Sequence, residues 1–170
     1  VEFGGSGVGP WAEKLYDTAP EIIATLEPDY EAIAALDPDL ILDVKSSGEQ
    51  QRYDRLSEIA PTVGPPKGGD NYLTSMDDQV TMISEALGKE DEGKKQLSDL
   101  DAQFAAAREA NPEFQGKTVT VAAKTSEGWG AYVKGTERVQ FMENLGFTQS
   151  PKIDALKAEG FSAPVSEEKL

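Results

Sequence analysis

The chain has 170 residues, with 31 Asp and Glu against 16 Lys and Arg, for a formal net charge of −15. That balance argues against nucleic acid and anionic membrane surfaces as partners, because phosphates are bound by clustered Lys and Arg. With no Cys and no His, disulfides, thiolate zinc sites, cysteine nucleophiles and the commonest general base are excluded, which argues against most hydrolase and metalloenzyme mechanisms. The 38% apolar content suffices for a real core, in one domain or two small lobes.

The opening Gly4-Gly5-Ser6-Gly7-Val8-Gly9-Pro10-Trp11 reads as a loop with an aromatic at its end. Asp29 is a candidate N-cap for a helix over residues 30–36, with Ile33 and Leu36 on one face and Pro38 as its stop. Residues 39–44 read as a short strand apolar enough to be buried on both faces. A loop at Lys45-Ser46-Ser47-Gly48 leads to a helix over residues 49–60, and Thr62-Val63 starts another short strand after Pro61. This helix–strand alternation predicts a parallel α/β sheet.

Beyond the Pro65-Pro66-Lys67-Gly68-Gly69 loop, Met76, Val80, Ile83 and Leu87 recur at helical spacing, and Gly88 supplies the stop. A second helix is predicted over residues 90–111, with Leu97, Leu100, Phe104 and Ala107 in one stripe and Pro112 ending it. A rod of about 30 Å with a narrow apolar stripe suits a connection between two lobes. The α/β rhythm then resumes: a strand over residues 118–122, a loop over 124–130, and a short strand over 131–133. A helix over 136–145 follows, with Gly146 after it, and Ser166-Glu167-Glu168 resembles a helix start. No apolar run approaches the ~20 residues of a membrane span, and no leader-like segment is visible. The bounds at Val1 and Leu170 read as those of a piece of a longer protein.

Little points to catalysis. The carboxylate pairs Asp37/Asp39 and Asp77/Asp78 and the run Glu90-Asp91-Glu92 fall at helix ends or solvent faces, where they serve capping and solubility. The glycines at 4–9 lack the strand, helix and Lys-Ser/Thr that a nucleotide loop requires. Binding is better supported. Trp11, Tyr72, Trp129 and Tyr132 sit in or beside Gly-rich loops rather than on apolar stripes, and Lys45 and Arg138 accompany two of these loops. One such aromatic is ordinarily a loop anchor. Four at strand ends, with cations beside them, predict a cleft for a large anionic or metal-chelating ligand with planar parts.

Several segments resemble a known family. Tyr30-Glu31-Ala32-Ile33-Ala34-Ala35-Leu36-Asp37-Pro38-Asp39-Leu40-Ile41-Leu42 is similar to the N-x-E-x-I-x-x-L-x-P-D-L-I segment of bacterial iron-siderophore and vitamin B12 solute-binding proteins. Leu56-Ser57-Glu58-Ile59-Ala60-Pro61-Thr62-Val63 resembles the L-S-x-I-A-P-T-V that follows it. Ala86-Leu87-Gly88-Lys89-Glu90 resembles the A-L-G-K-E before the interlobe helix, and Leu145-Gly146-Phe147 the L-G-F after the cleft loop.

The resemblance implies an α/β fold of two lobes bridged by a single long helix, truncated here at both ends. It divides the chain into an N-terminal lobe (1–74), a helical segment (75–111, the bridging helix at about 90–111) and a C-terminal lobe (112–170). It implies an exported or lipid-anchored transport protein, not an enzyme, that captures a ferric siderophore at Trp11, Lys45, Tyr72, Trp129, Tyr132 and Arg138. Heme or cobalamin is the rival cargo, and an unrelated α/β enzyme the more distant alternative. The expected partner is an ABC permease, docked at Glu31 and Glu168, one carboxylate per lobe. A Glu in a first helical turn is also favoured by the helix dipole alone, by ~0.3–1 kcal/mol. No cofactor or protein metal ligand is expected, since the chelate brings its own iron. A chain lacking part of each sheet is further expected to self-associate through exposed edges.

Overall fold

The computed structural model describes residues 12, 14–18, 20–23, 27–69, 71–126, 128–156, 158, 160–166 and 168. Trp11, the glycine loop before it and Glu167 lie outside these residues.

The first elements alternate as the sequence predicts. Helix α1 (Tyr30–Ala35) is capped by Asp29, whose Oδ1 accepts from the Ala32 N–H at 3.0 Å. Strand β1 (Ile41–Leu42) pairs in parallel with β2 (Thr62–Val63), and α2 (Gln50–Ser57) forms the crossover. The expected strand over residues 39–44 shortens to two residues, and Leu42 is 40% exposed rather than buried on both faces. The reason lies in Asp43. Its N–H still reaches the Val63 carbonyl at 2.8 Å, but its carboxylate turns to the Arg52 guanidinium, and the chain leaves the strand there. The buried apolar side chains of this region are Val44, Leu56 and Ala60.

Helix α3 (Met76–Ala86) starts at Ser75, whose Oγ accepts from the Asp78 N–H, and ends before Gly88, where φ is 65°. Helix α4 (Glu90–Ala110) runs unbroken for 21 residues, with three acidic residues in its first turn and Arg108 in its last, both favourable to its dipole. Gly93 lets α3 and α4 approach closely. A Cβ at Gly93 would lie 2.6 Å from the Cβ of Ser84 and still nearer its Oγ. Farther along, Phe104 is buried and meets Phe141 edge-on, with ring centroids 5.4 Å apart.

The remainder forms two sheets where the sequence reading has a strand, a loop and a strand. Strand β3 (Thr118–Val119) pairs in parallel with β6 (Thr148–Gln149). The chain then switches sheets, so residues 118–122 are not one strand. Strands β4 (Ala122–Thr125) and β5 (Gly128–Tyr132) form an antiparallel hairpin across the predicted loop at 124–130. Strand β7 (Ser162–Val165) adds to the other side of β5. Between them, α5 (Glu137–Asn144) occupies the predicted helix over 136–145, with Gly146 at φ 101° after it, and α6 (Pro151–Asp154) follows β6. Gln149 ties the two sheets together: its side-chain amide, almost fully buried, donates to the Tyr132 carbonyl at 2.9 Å.

Candidate ligand-binding site

Lys45 and Tyr72 precede α4 in the chain and Tyr132 and Arg138 follow it, yet all four line one cavity of about 210 Å³. Thr136, Glu137 and Phe161 complete its wall.

Each side chain is placed by its local backbone. Tyr72 follows Asn71, and both adopt left-handed backbone, at φ 64° and 56°. Such a conformation is unfavourable for a bulky residue and requires support from outside the turn. The support is a pair of hydrogen bonds from the Asn71 and Tyr72 N–H groups to the carbonyls of Ser47 and Ser46, at 3.0 and 2.9 Å. The Tyr72 turn is thereby fastened to the loop that carries Lys45. Across the cavity, Tyr132 ends β5, and the Val133 N–H donates to the Phe161 carbonyl at 3.1 Å. The rings of Tyr132 and Phe161 stack with centroids 6.4 Å apart, and Tyr72 meets Phe161 edge-on at 6.3 Å. Arg138, in the first turn of α5, lies with its guanidinium 4.6 Å from the Tyr132 ring centre.

Glu137 joins the two sides. Its Oε2 lies 2.7 Å from Lys45 Nζ, and its Oε1 accepts from Gln79 Nε2 of α3 at 2.7 Å. Burial pushes the Glu137 carboxyl up, but the hydrogen bonds from Lys45 and Gln79, with the nearby charges of Lys45 and Arg138, outweigh it and hold the group below the usual range. Glu137 is therefore a carboxylate at neutral pH.

The cavity surface is aromatic and cationic, with one carboxylate bound to one of its cations. Such a wall can stack on planar groups, hydrogen-bond hard oxygen atoms through a guanidinium and exclude water from apolar arms. A second cavity of about 500 Å³ shares Tyr72 as a wall and is lined by Tyr30, Arg52 and Arg55 among others. There the Arg55 guanidinium lies 3.7 Å from the Tyr30 ring centre, while Arg52 is held by Asp43. Among the described residues, no group of three or more Asp and Glu is placed to hold a metal ion, and no helix is long and apolar enough to cross a membrane.

Of the predicted ligand residues, Lys45, Tyr72, Tyr132 and Arg138 meet in this cavity and Trp11 lies outside the described residues. Trp129 is not among the lining side chains. It precedes Tyr132 by three strand positions, which places the two on opposite faces of β5, and the Lys124 ammonium lies 5.5 Å from its ring centre. Phe161, Glu137 and Thr136 were not anticipated. Phe161 carried a usable signal, an aromatic directly after Gly160, whereas Glu137 looks like any acidic residue in a first helical turn.

A model of the family described as periplasmic binding protein matches residues 4–170. The chain belongs to that family. Its α/β architecture, with strands on either side of one long helix, is the fold of solved members. A periplasmic solute-binding protein from Mycobacterium smegmatis superposes with a TM-score of 0.74 at 30% identity, over 87% of this chain and 53% of that one. The iron-uptake protein PiaA of Streptococcus pneumoniae, solved with ferrichrome, gives a TM-score of 0.70 at 26% identity, over 84% and 49%. Among curated relatives, the probable siderophore-binding lipoprotein YfiY of Bacillus subtilis is 30% identical across 84% of this chain and 43% of its own length. The chain spans less than half the length of the curated relatives it matches.

Proposed function

We propose that the protein containing this chain is an extracytoplasmic solute-binding protein that captures a ferric siderophore and delivers it to an ABC permease. The observation that carries this reading is the single cavity formed by Lys45 and Tyr72 from one side of α4 and by Tyr132, Arg138 and Phe161 from the other. Residues 1–74 are read as the N-terminal lobe, 75–111 as the helical segment and 112–170 as the C-terminal lobe. At about 210 Å³ the cavity is smaller than the ~300–1,000 Å³ that encloses a whole small ligand, so it takes one face of a chelate. The neighbouring cavity beyond Tyr72 offers room for the rest. The names of relatives favour siderophores over heme or cobalamin: one is a ferric enterobactin-binding protein of Escherichia coli, another a ferric citrate-binding protein of Bacillus subtilis. The chelate supplies its own iron, and the chain supplies rings and a guanidinium.

Titrating the whole protein with hydroxamate, catecholate and citrate chelates of iron, and with heme and cobalamin, tests this reading through quenching of intrinsic Trp fluorescence. A ferric chelate binds; binding of heme or cobalamin alone reassigns the cargo. Arg138→Ala weakens chelate binding by roughly 1.5–3 kcal/mol, the range for a hydrogen bond from a charged group. An unchanged affinity removes Arg138 from the site. Glu31, exposed in the first turn of α1, and Glu168, exposed near the end of the chain, are proposed as the permease contacts.

A further inference from the structure

Glu137 is the one carboxylate among the described residues lining the cavity, and both of its oxygens are engaged, by Lys45 and by Gln79. This pairing removes Lys45 from the cations open to a ligand and leaves Arg138 over the face of Tyr132. Two cations less one anion give the described lining a formal charge of +1. The described residues of the neighbouring cavity add no surplus. Its Glu27 and Glu49 balance Arg52 and Arg55, and Arg52 is already bound to Asp43. The chain as a whole carries −15. A ferric tris-catecholate brings three negative charges into such a field, whereas a ferric trihydroxamate with uncharged arms brings none. Paired with Lys45, the carboxylate cancels the attraction that this ammonium would exert on the first and leaves the second unaffected.

Resting on the siderophore reading above, we infer that Glu137 is a specificity-determining residue that withholds Lys45 and biases the cavity toward ferric chelates of little or no net negative charge, the hydroxamate class. Gln79 is its positioning partner, presenting the carboxylate to Lys45 from α3. The same contact spans the Lys45 loop, α3 and α5, so the element that filters charge also holds the cavity walls in register.

The test uses the whole protein with two probes, a neutral ferric trihydroxamate and a triply anionic ferric tris-catecholate, and reads the ratio of their dissociation constants. In the unaltered protein the hydroxamate binds tighter. Glu137→Gln keeps an oxygen for Lys45 but removes the charge, and shifts the ratio about tenfold toward the catecholate. Lys45→Gln leaves the Glu137 charge uncompensated and shifts the ratio the opposite way, so the inference remains testable if the first variant fails to fold. A ratio unmoved by both variants, or an unaltered protein that prefers the catecholate, overturns the inference while the siderophore reading stands. Binding of neither probe nor any other ferric chelate overturns the siderophore reading itself.

Discussion

Asp43 and Arg52 show how one residue pair sets local structure. The Asp43 carboxylate, 9% exposed, accepts from Arg52 Nε at 3.1 and 3.0 Å and from a terminal guanidinium nitrogen as well. The pair joins the end of β1 to α2 and holds Arg52 protonated, chiefly through the hydrogen bonds that the guanidinium donates to Asp43. A paired buried charge that loses its partner is strongly destabilising, because the remaining ion has been taken out of water. Asp43→Asn is therefore expected to lower stability by roughly 2–4 kcal/mol. The shift in denaturant midpoint measures it; a loss below about 0.5 kcal/mol places the pair with solvent-screened surface bridges instead. At this scale the cavity was partly legible. Tyr72, Tyr132, Lys45 and Arg138 stood out because several aromatics and cations recur beside Gly-rich loops rather than on an apolar stripe. Glu137 did not, since a Glu in a first helical turn has a sufficient local explanation and its partner lies far away in sequence.

Among the elements, α4 depends most directly on its sequence pattern. Leu97, Leu100 and Ala107 are half-buried, and Phe104 fully so, along one stripe, as the spacing requires. Gly93 extends the stripe toward the N-terminus as the point of close approach to Ser84 of α3. Phe104 connects the helix to α5 through Phe141. Phe104→Ala is expected to cost about 3–5 kcal/mol, the usual loss for a buried aromatic, and a thermal melt of the variant reads it. A change under about 1 kcal/mol shows that the site collapses around the smaller side chain. The β4–β5 hairpin was not legible in the same way. Its second strand begins Gly128-Trp129-Gly130, a composition that favours a loop, and glycine in a strand adds no side-chain packing. Pairing with β7, from Trp129 opposite Val165 to Tyr132 opposite Ser162, turns that segment into the central strand of a sheet.

At the scale of the whole molecule, the proposed permease contacts lie apart from the proposed ligand cavity. Glu31 is exposed beside the Asp29 cap, in the same helix whose Tyr30 ring lies under Arg55. Glu168 is exposed beyond β7, the strand paired with the β5 that carries Tyr132. Glu31 thus shares a helix with a wall residue of the second cavity, and Glu168 follows the strand beside the one that carries Tyr132. Changing both Glu31 and Glu168 to Ala in the whole protein is expected to reduce chelate uptake by cells while affinity in solution is retained. Full uptake by the double variant removes both residues from docking and leaves Glu31 with helix-dipole electrostatics alone, worth ~0.3–1 kcal/mol.

The sequence by itself determined the local elements wherever a periodic stripe, a cap or a Pro–Gly boundary lay within a few residues: α1 with Asp29, α3 with Gly88, α4 with its stripe and α5 with Gly146. It also determined the chemical character of the cavity wall, because several rings and cations recur beside Gly-rich loops and off the apolar stripes. Tertiary structure alone decided that residues 118–125 divide between two sheets, that Trp129 and Tyr132 fall on opposite faces of β5, and that Glu137 neutralises Lys45. Each of these outcomes depends on which distant backbone or charge arrives alongside. Hydrogen-bond pairing and close-range electrostatics act over a few ångströms of space, whatever the distance along the chain.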